Sequence, residues 1–289
     1  MLTLKQKINY LVTSALRYFE EPVCPSCGTT INTLVDRKYM VTRLFKCSNC
    51  KLQYRHPIER VEEGKKFYQK KYTEGDGITT ELPSEELLKE LKDNNFSQFK
   101  DDRSALRLDE LFKALNVENK NICDYGSSWG YMSYQLKNLG YQVNSFEISK
   151  PRADFGNKHL NLDIKTEYNQ LKKNQDIVFS SHVIEHVPCV KQMLEQKYDL
   201  VKDGGYLIII CPNGSNGIKN ANPESFHEGW GKVHPNYLSE DFFENFFQSN
   251  SRFITSTPFN IKQIKDWDQK TSYTSILMNG YELLVIIKK

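Results

Sequence analysis

Cys24 and Cys27 form one close pair and Cys47 and Cys50 another, with 19 residues between the pairs. Two Cys-x2-Cys knuckles at this separation have the spacing of a structural zinc site, each offering two thiolates to one tetrahedral ion. Gly28 supplies the tight turn after the first pair. Because all four positions are cysteine, no coordination position stays open for water, so the expected Zn2+ is structural and not catalytic. The other three of the seven cysteines, Cys123, Cys189 and Cys211, sit among apolar neighbours and read as small core residues.

A second set of residues could move protons. His182, Glu185 and His186 follow the apolar run DIVFSS, and His227 and His234 flank Trp230 in a stretch rich in glycine, proline and aromatics. Imidazole titrates near neutral pH and can take a proton from a hydroxyl or a carbon acid. Glu185 and His186 are therefore one candidate catalytic pair, and His227 and His234 are alternative bases. The plainer reading of His186 is a residue that caps or packs the following helix.

The third set is a turn. Residues 122 to 130 read ICDYGSSWG: an apolar lead-in, Asp124, then Gly126 to Gly130. The second and third glycines of the dinucleotide pattern are absent, Trp129 would crowd a pyrophosphate, and the Walker pattern is missing. The ligand of this turn should thus place no phosphate against it. S-adenosylmethionine meets that condition.

These residues need a scaffold that brings them together. From Asn121 onward, apolar strands, turns and amphipathic helices alternate, which implies a mostly parallel sheet with helices on both faces. SYTSILMNGYELLVIIKK reads as two strands joined by Asn279-Gly280, a hairpin signal that ends the sheet with an antiparallel strand. Residues 84 to 116 read as two helical pieces, with Ser84, Glu85 and Glu86 as a start signal. Residues 2 to 19 carry Leu4, Ile8, Leu11, Val12, Ala15, Leu16 and Phe19 at helical spacing, as expected of a helix docked by that stripe. The expected organisation is an N-terminal helix (1–20), a zinc ribbon (21–75), a helical linker (76–118) and an α/β domain (119–289).

The segment from 121 to about 212 resembles the class I S-adenosylmethionine-dependent methyltransferases. The resemblance rests on Asp124-Tyr-Gly126-Ser-Ser128-Trp-Gly130, with Ser128 in place of the middle glycine, on Glu147 in NSFEIS, on DIVFSSHVIEHV and on DLVKDGGYLIIICPN. It implies a Rossmann-like, mostly parallel seven-stranded α/β sheet with an antiparallel last strand. It also implies cofactor contacts from Asp124, Gly126, Ser128, Trp129, Gly130, Ile148 and His182, with Glu147 on the ribose hydroxyls and Glu185-His186 near the acceptor. A carboxylate suits the ribose because it accepts from two hydroxyls at once. CPSCG, CSNCKLQYRHP and FYQKKY further resemble bacterial methyltransferases with an N-terminal zinc ribbon, many associated with surface polysaccharide or deoxysugar pathways. That likeness implies a small-molecule or glycan acceptor, methylated on oxygen or carbon.

Bulk properties set outer bounds. The 289 residues are 39% hydrophobic and 26% charged, with net charge +3 and pI near 8.3, a soluble globular profile that does not demand nucleic acid. No stretch approaches the roughly 20 apolar residues of a membrane span, and the chain reads as cytoplasmic. Between Cys24 and Lys71, eleven lysines and arginines face four acids, with aromatics interleaved. This leaves ribosomal or transfer RNA as an alternative acceptor. The absence of Asn-Pro-Pro-Tyr after Pro212 weakens a base-amine acceptor, and the Ser128 replacement allows a catalytically degenerate scaffold as a further alternative.

Overall fold

The computed structural model describes residues 4–58, 81–96, 104–117 and 120–289. The FYQKKY stretch, the Gly-rich turn after it and parts of the expected ribbon and linker lie outside these described residues.

Two sheets organise the described residues. The smaller is antiparallel and contains β1 (Asn32–Lys38), β2 (Thr42–Cys47), β3 (Gln53–His56) and β9 (Asn236–Tyr237), in that order. The larger has the order β11 (Tyr273–Thr274), β10 (Arg252–Ser256), β12 (Glu282–Lys288), β8 (Val201–Pro212), β7 (Gln175–Ser181), β4 (Asn121–Tyr125), β5 (Gln142–Phe146), β6 (Ile164–Lys165). Strands β6, β5, β4, β7 and β8 are parallel, whereas β12 runs antiparallel to both β8 and β10. This is a Rossmann-like methyltransferase fold with the expected antiparallel last strand, and β11 adds an eighth strand at one edge.

Alternation along each strand builds a core on both faces. Cys123, Val178, Leu207, Ile209, Val285 and Ile287 point to one side, and Ile122, Ile177, Ile208, Leu284 and Ile286 point to the other. The second face is covered by Leu111 and Phe112 of the helix Leu106–Ala114 and by Ile264 of the helix Ile261–Asp266. The first face is covered by Val190 and Leu194 of the helix Val190–Leu200 and also by Phe45, Leu52 and Tyr54 from the small sheet. The ribbon and the α/β part therefore share one apolar core.

The polar joints agree. β9 comes from the connection after β8, yet it pairs with β3, Tyr54 opposite Asn236 and Gln53 opposite Tyr237. Gln53 Nε2 donates to Gly214 O at 2.6 Å, and Arg55 N donates to Pro235 O at 2.7 Å.

Two expectations from the sequence are corrected. Asn279-Gly280 does not join two paired strands, because β11 lies parallel beside β10 and the chain from Ser275 to Tyr281 packs under the end of β8. There Asn213 Nδ2 donates to the Met278 and Gly280 carbonyls at 3.0 and 2.7 Å. Gly280 is needed for close approach, since a Cβ on it would meet Thr257 O at 1.6 Å. In the N-terminal helix, Leu4–Leu16, the buried residues among those described are Tyr10 and Ser14, whereas Ile8, Leu11 and Val12 are exposed; Leu16 is 80% and the following Phe19 92% exposed. The two helical pieces form as expected over Glu85–Asp93 and Leu106–Ala114, and Ser84 Oγ caps the first by accepting from Leu87 N at 3.2 Å.

Candidate functional site

Strand order reverses around β4, with β5 and β6 on one side and β7 and β8 on the other. The carboxyl edge beside such a switch point is where open α/β sheets take ligands. Four segments meet along this edge: the 126–130 turn after β4, Glu147 after β5, His182–His186 after β7 and Asn213 after β8.

The turn is held by its neighbours. Gly126 N and Ser127 N both donate to Phe146 O, at 2.8 and 2.9 Å, and Gly130 N donates to Ser127 O at 2.8 Å. Ser128 N donates to Glu147 Oε2 at 2.9 Å, while Ser149 N donates to Glu147 Oε1 at 2.8 Å. With these amides engaged, the turn offers no nest for a phosphate, in agreement with the sequence. Gly126 has φ 94°, and a Cβ there would lie 2.3 Å from Val183 Cγ2. The turn thus fits only against the segment that carries the histidines.

Glu147 is buried, and burial pushes its carboxyl above the usual range despite the two amides and the nearby Arg152 charge. Arg152 is also buried and donates from Nη1 to Ser128 Oγ at 2.8 Å. Ile148, beside Glu147, is 51% exposed and gives the edge an apolar surface. Asp124 lies below the turn: it accepts from Ser133 Oγ at 2.6 Å, and Ser145 Oγ donates to Ser133 Oγ at 2.8 Å. Burial raises the Asp124 carboxyl to about 6, with the Ser133 bond opposing the shift. The side chain of Trp129 packs inward. It is buried among Phe96, Tyr131 and Phe155, with ring centroids 6.0, 5.1 and 6.0 Å away.

Past β7 the histidines gather. Glu185 is fully buried, with His182 Nδ1 at 3.2 Å and His186 Nε2 at 3.8 Å from its Oε1. The His186 and His234 ring centroids are 4.9 Å apart. Burial would raise the Glu185 carboxyl, but the surrounding imidazoles, His186 foremost, hold it down at about 2. Burial disfavours the charged form of His182, yet pairing with Glu185 and Glu282 outweighs it and holds the ring at about 10; His182 Nε2 is 2.7 Å from Glu282 Oε1. His234 is pushed down, first by burial and then by the His186 charge. Behind the cluster, Lys197 Nζ donates to Ser180 Oγ at 2.7 Å, and burial lowers its ammonium to about 7.

His234 belongs to this cluster because Asn236 and Tyr237 are strand-paired to the ribbon. Asn236 Nδ2 also donates to Val187 O at 2.6 Å. His227 does not join: its Nδ1 pairs with Asp36 of β1 at 2.7 Å, and Trp230 Nε1 donates to the same Asp36 oxygen at 2.8 Å. His227 instead ties a surface helix to the ribbon.

In the ribbon, the four thiols converge. Cys24 and Cys50 Sγ are 3.5 Å apart, as are Cys27 and Cys47 Sγ, and all four lie within 4.8 Å of one another. Bonds of roughly 2.3 Å to one tetrahedral zinc would put the sulfurs about 3.8 Å apart, so the set fits the ion. Gly28 N to Cys24 O (2.9 Å) and Lys51 N to Cys47 O (3.1 Å) close the two knuckles. Among the described residues of the ribbon, five cations are engaged within the protein. Lys38 donates to Trp230 O, Arg43 to Tyr18 O, Arg55 to Pro57 O and Lys51 to Ser48 O, and Lys46 pairs with Asp241.

Similarity to known proteins agrees with this layout. The family described as Methyltransferase domain matches residues 95–250. The ubiquinone biosynthesis O-methyltransferase of Coxiella burnetii is 23% identical over 157 residues, covering 47% of this chain and 67% of that protein. The mitochondrial ubiquinone biosynthesis O-methyltransferase of Schizosaccharomyces pombe is 29% identical over 121 residues, covering 37% and 44%. The chain thus spans about half to two thirds of the length of these relatives. Among solved structures, the plantazolicin methyltransferase BpumL in complex with SAH has a TM-score of 0.48 at 15% identity, covering 79% of this chain and 98% of that one. Magnesium protoporphyrin IX methyltransferase from Synechocystis PCC 6803 with bound SAM has a TM-score of 0.46 at 14% identity, covering 81% and 99%. The family match spans more than half of the chain, from before β4 to the start of β10, and so the chain belongs to the methyltransferase-domain family, as an S-adenosylmethionine-dependent methyltransferase.

Proposed function

We propose that the protein methylates a hydroxyl oxygen of a small acceptor. S-adenosylmethionine supplies the methyl group from its sulfonium. The turn at Gly126 and Ser128 faces the methionine end, Glu147 and Ile148 face the nucleoside, and Asp124 supports the turn from below through Ser133. His182 stands between this half of the edge and the acceptor half.

A hydroxyl acceptor must lose its proton as the new O–C bond forms, which calls for polar groups beside it. Glu185, His186 and His234 fill that role in this reading. The observation that carries it is the convergence of these three residues on the sheet edge that also carries the Glu147-anchored turn. O-Methylation is favoured over C-methylation because the relatives above are named O-methyltransferases. None of them is named for a sugar, so the acceptor is defined here by its reacting atom and not as a glycan. RNA is disfavoured because the relatives above are named for small-molecule O-methylation. Four thiolates on Zn2+ would keep the ribbon folded against β9.

The test uses S-adenosylmethionine with a labelled methyl group, the full chain, and three acceptor pools: phenols and catechols, sugars and nucleotide sugars, and total RNA. Label on an oxygen of a small molecule supports the proposal, and the pool identifies the acceptor class. Label only in RNA, or on carbon or nitrogen, overturns it.

A further inference from the structure

Glu185 poses a physical problem. It is fully buried, and no hydrogen bond of acceptable geometry among the described residues reaches either carboxylate oxygen. The His182 ring 3.2 Å from Oε1 offsets its charge from one side, yet neither oxygen is satisfied by a hydrogen bond, so the carboxylate still has coordinating capacity. Lys197 is buried nearby, but its ammonium is directed to Ser180 Oγ.

The two imidazoles show how such a cation would be held. His186 Nδ1 lies 2.7 Å from Val233 O, and His234 Nδ1 lies 2.9 Å from Gly229 O. A carbonyl can only accept, so each Nδ1 carries a proton, and in the neutral ring the lone pair therefore lies on Nε2. Fixing the tautomer by a carbonyl behind the ring is the usual second layer of a histidine that ligates metal. One ligand atom from each of Glu185, His186 and His234 lies within 4.8 Å of the other two. Two imidazoles that each only served as a base would not need to converge on one carboxylate.

We propose that Glu185, His186 and His234 bind one divalent cation of the zinc class, separate from the ribbon ion. Two nitrogens and one carboxylate suit a borderline transition ion and not Mg2+ or Ca2+, which prefer oxygen. Three protein ligands leave a coordination position open, as catalytic zinc sites do. The open position suits an acceptor that presents a hydroxyl, with an adjacent oxygen to strengthen the hold. This deepens the function proposed above and rests on it only for the acceptor's identity. His182 is not among the three ligands, since its Nε2 is bound to Glu282. The site needs the ribbon, because β9 pairing to β3 keeps His234 in place.

The experiment counts metal. The full chain is dialysed against Zn2+, passed over a sizing column and measured by elemental analysis, with the ribbon ion as an internal standard. Two zinc ions per chain are expected, falling to one in Glu185→Gln and in His234→Gln. Co2+ titration gives a second readout: the thiolate site shows strong sulfur-to-metal charge-transfer bands, and the proposed site adds weaker ligand-field bands that the same variants remove. Far-UV dichroism and thermal melts show whether a variant has unfolded, and the Co2+ spectrum of the unaltered protein keeps the test decisive if one does. Wild-type protein that saturates at one ion, or a folded Glu185→Gln that retains two, overturns the proposal. Turnover with only one ion bound would overturn the metal site and leave the methyltransferase reading intact. Two ions with no O-methylation would do the reverse.

Discussion

The backbone amide of Ser128 and the side chain of Glu147 form a 2.9 Å hydrogen bond that joins the turn after β4 to the end of β5. Because Ser149 N occupies the other carboxylate oxygen, Glu147 acts as a two-sided clamp. In Glu147→Gln, one oxygen becomes an NH2 that must face a backbone N–H. We expect a loss of about 1–3 kcal/mol in stability, the cost of a buried donor left unpaired. Binding of S-adenosylmethionine, measured by calorimetry, should weaken at least tenfold. Unchanged affinity would show that the clamp does not face the nucleoside.

Gly126 and Val183 can be tested as a pair. Gly126→Ala should destabilise the fold and abolish cofactor binding, through its positive φ and through collision with Val183 Cγ2. Adding Val183→Ala removes the collision and leaves the strain, roughly 1–2 kcal/mol. The double variant should therefore melt above Gly126→Ala and below Val183→Ala alone. If the double variant melted no higher than Gly126→Ala, the collision would not be the cause.

Asp124 predicts a pH slope. Its folded value of about 6 lies above the ordinary carboxylate value of about 3.9, so the folded state binds the proton more tightly. The contribution of Asp124 to stability is full below about pH 4, declines as pH rises through about 6, and is constant above. The loss is on the order of 3 kcal/mol. Stability measured by urea unfolding between pH 4.5 and 7.5 should lose this component in Asp124→Asn. A variant with the same slope as the wild type would contradict the assignment.

His227 and His234 should separate. His227→Ala removes a half-exposed tie to Asp36 and should cost no more than about 1 kcal/mol, with methyl transfer largely retained. His234→Ala should lower turnover about a hundredfold or more while melting near the wild type. Equal losses in both variants would return His227 to the site.

The sequence shows where the strands run but not what lies beneath the turn. β4, β5, β7 and β8 are legible because their apolar runs alternate with amphipathic helices. The 126–130 turn and the four cysteines are legible because their residue types admit few other uses. Arg152 and Lys197 are not, since a charged residue in a helical pattern reads as a solvent face, and only the fold shows both to be buried. The inward packing of Trp129 is not legible either, because a place in a turn does not fix which way a side chain points. His234 meets Glu185 through β9, a pairing between segments about 180 residues apart that no local pattern records. Asn279-Gly280 carries a hairpin signal, but the Asn213 side chain claims the carbonyls on either side of Asn279.

Disrupting the four-cysteine site should therefore reach the sheet edge that carries His234. Cys47→Ser or a strong chelator is expected to lower the melting point by several degrees and to speed amide exchange across residues 229–238. Methyl transfer should fall with it, although no thiol touches the acceptor. Rapid exchange confined to the ribbon would show the two parts to be independent.

The pairing of β9 with β3 also bears on how such a protein can diverge. A ribbon that merely hung from the chain could be traded between enzymes like a handle. Here the ribbon's third strand and β9 form one inheritable unit, split in two by the rest of the fold. Substitutions in either half should persist only when the other half accommodates them, and a graft that moves one without the other should bring His234 to the wrong place.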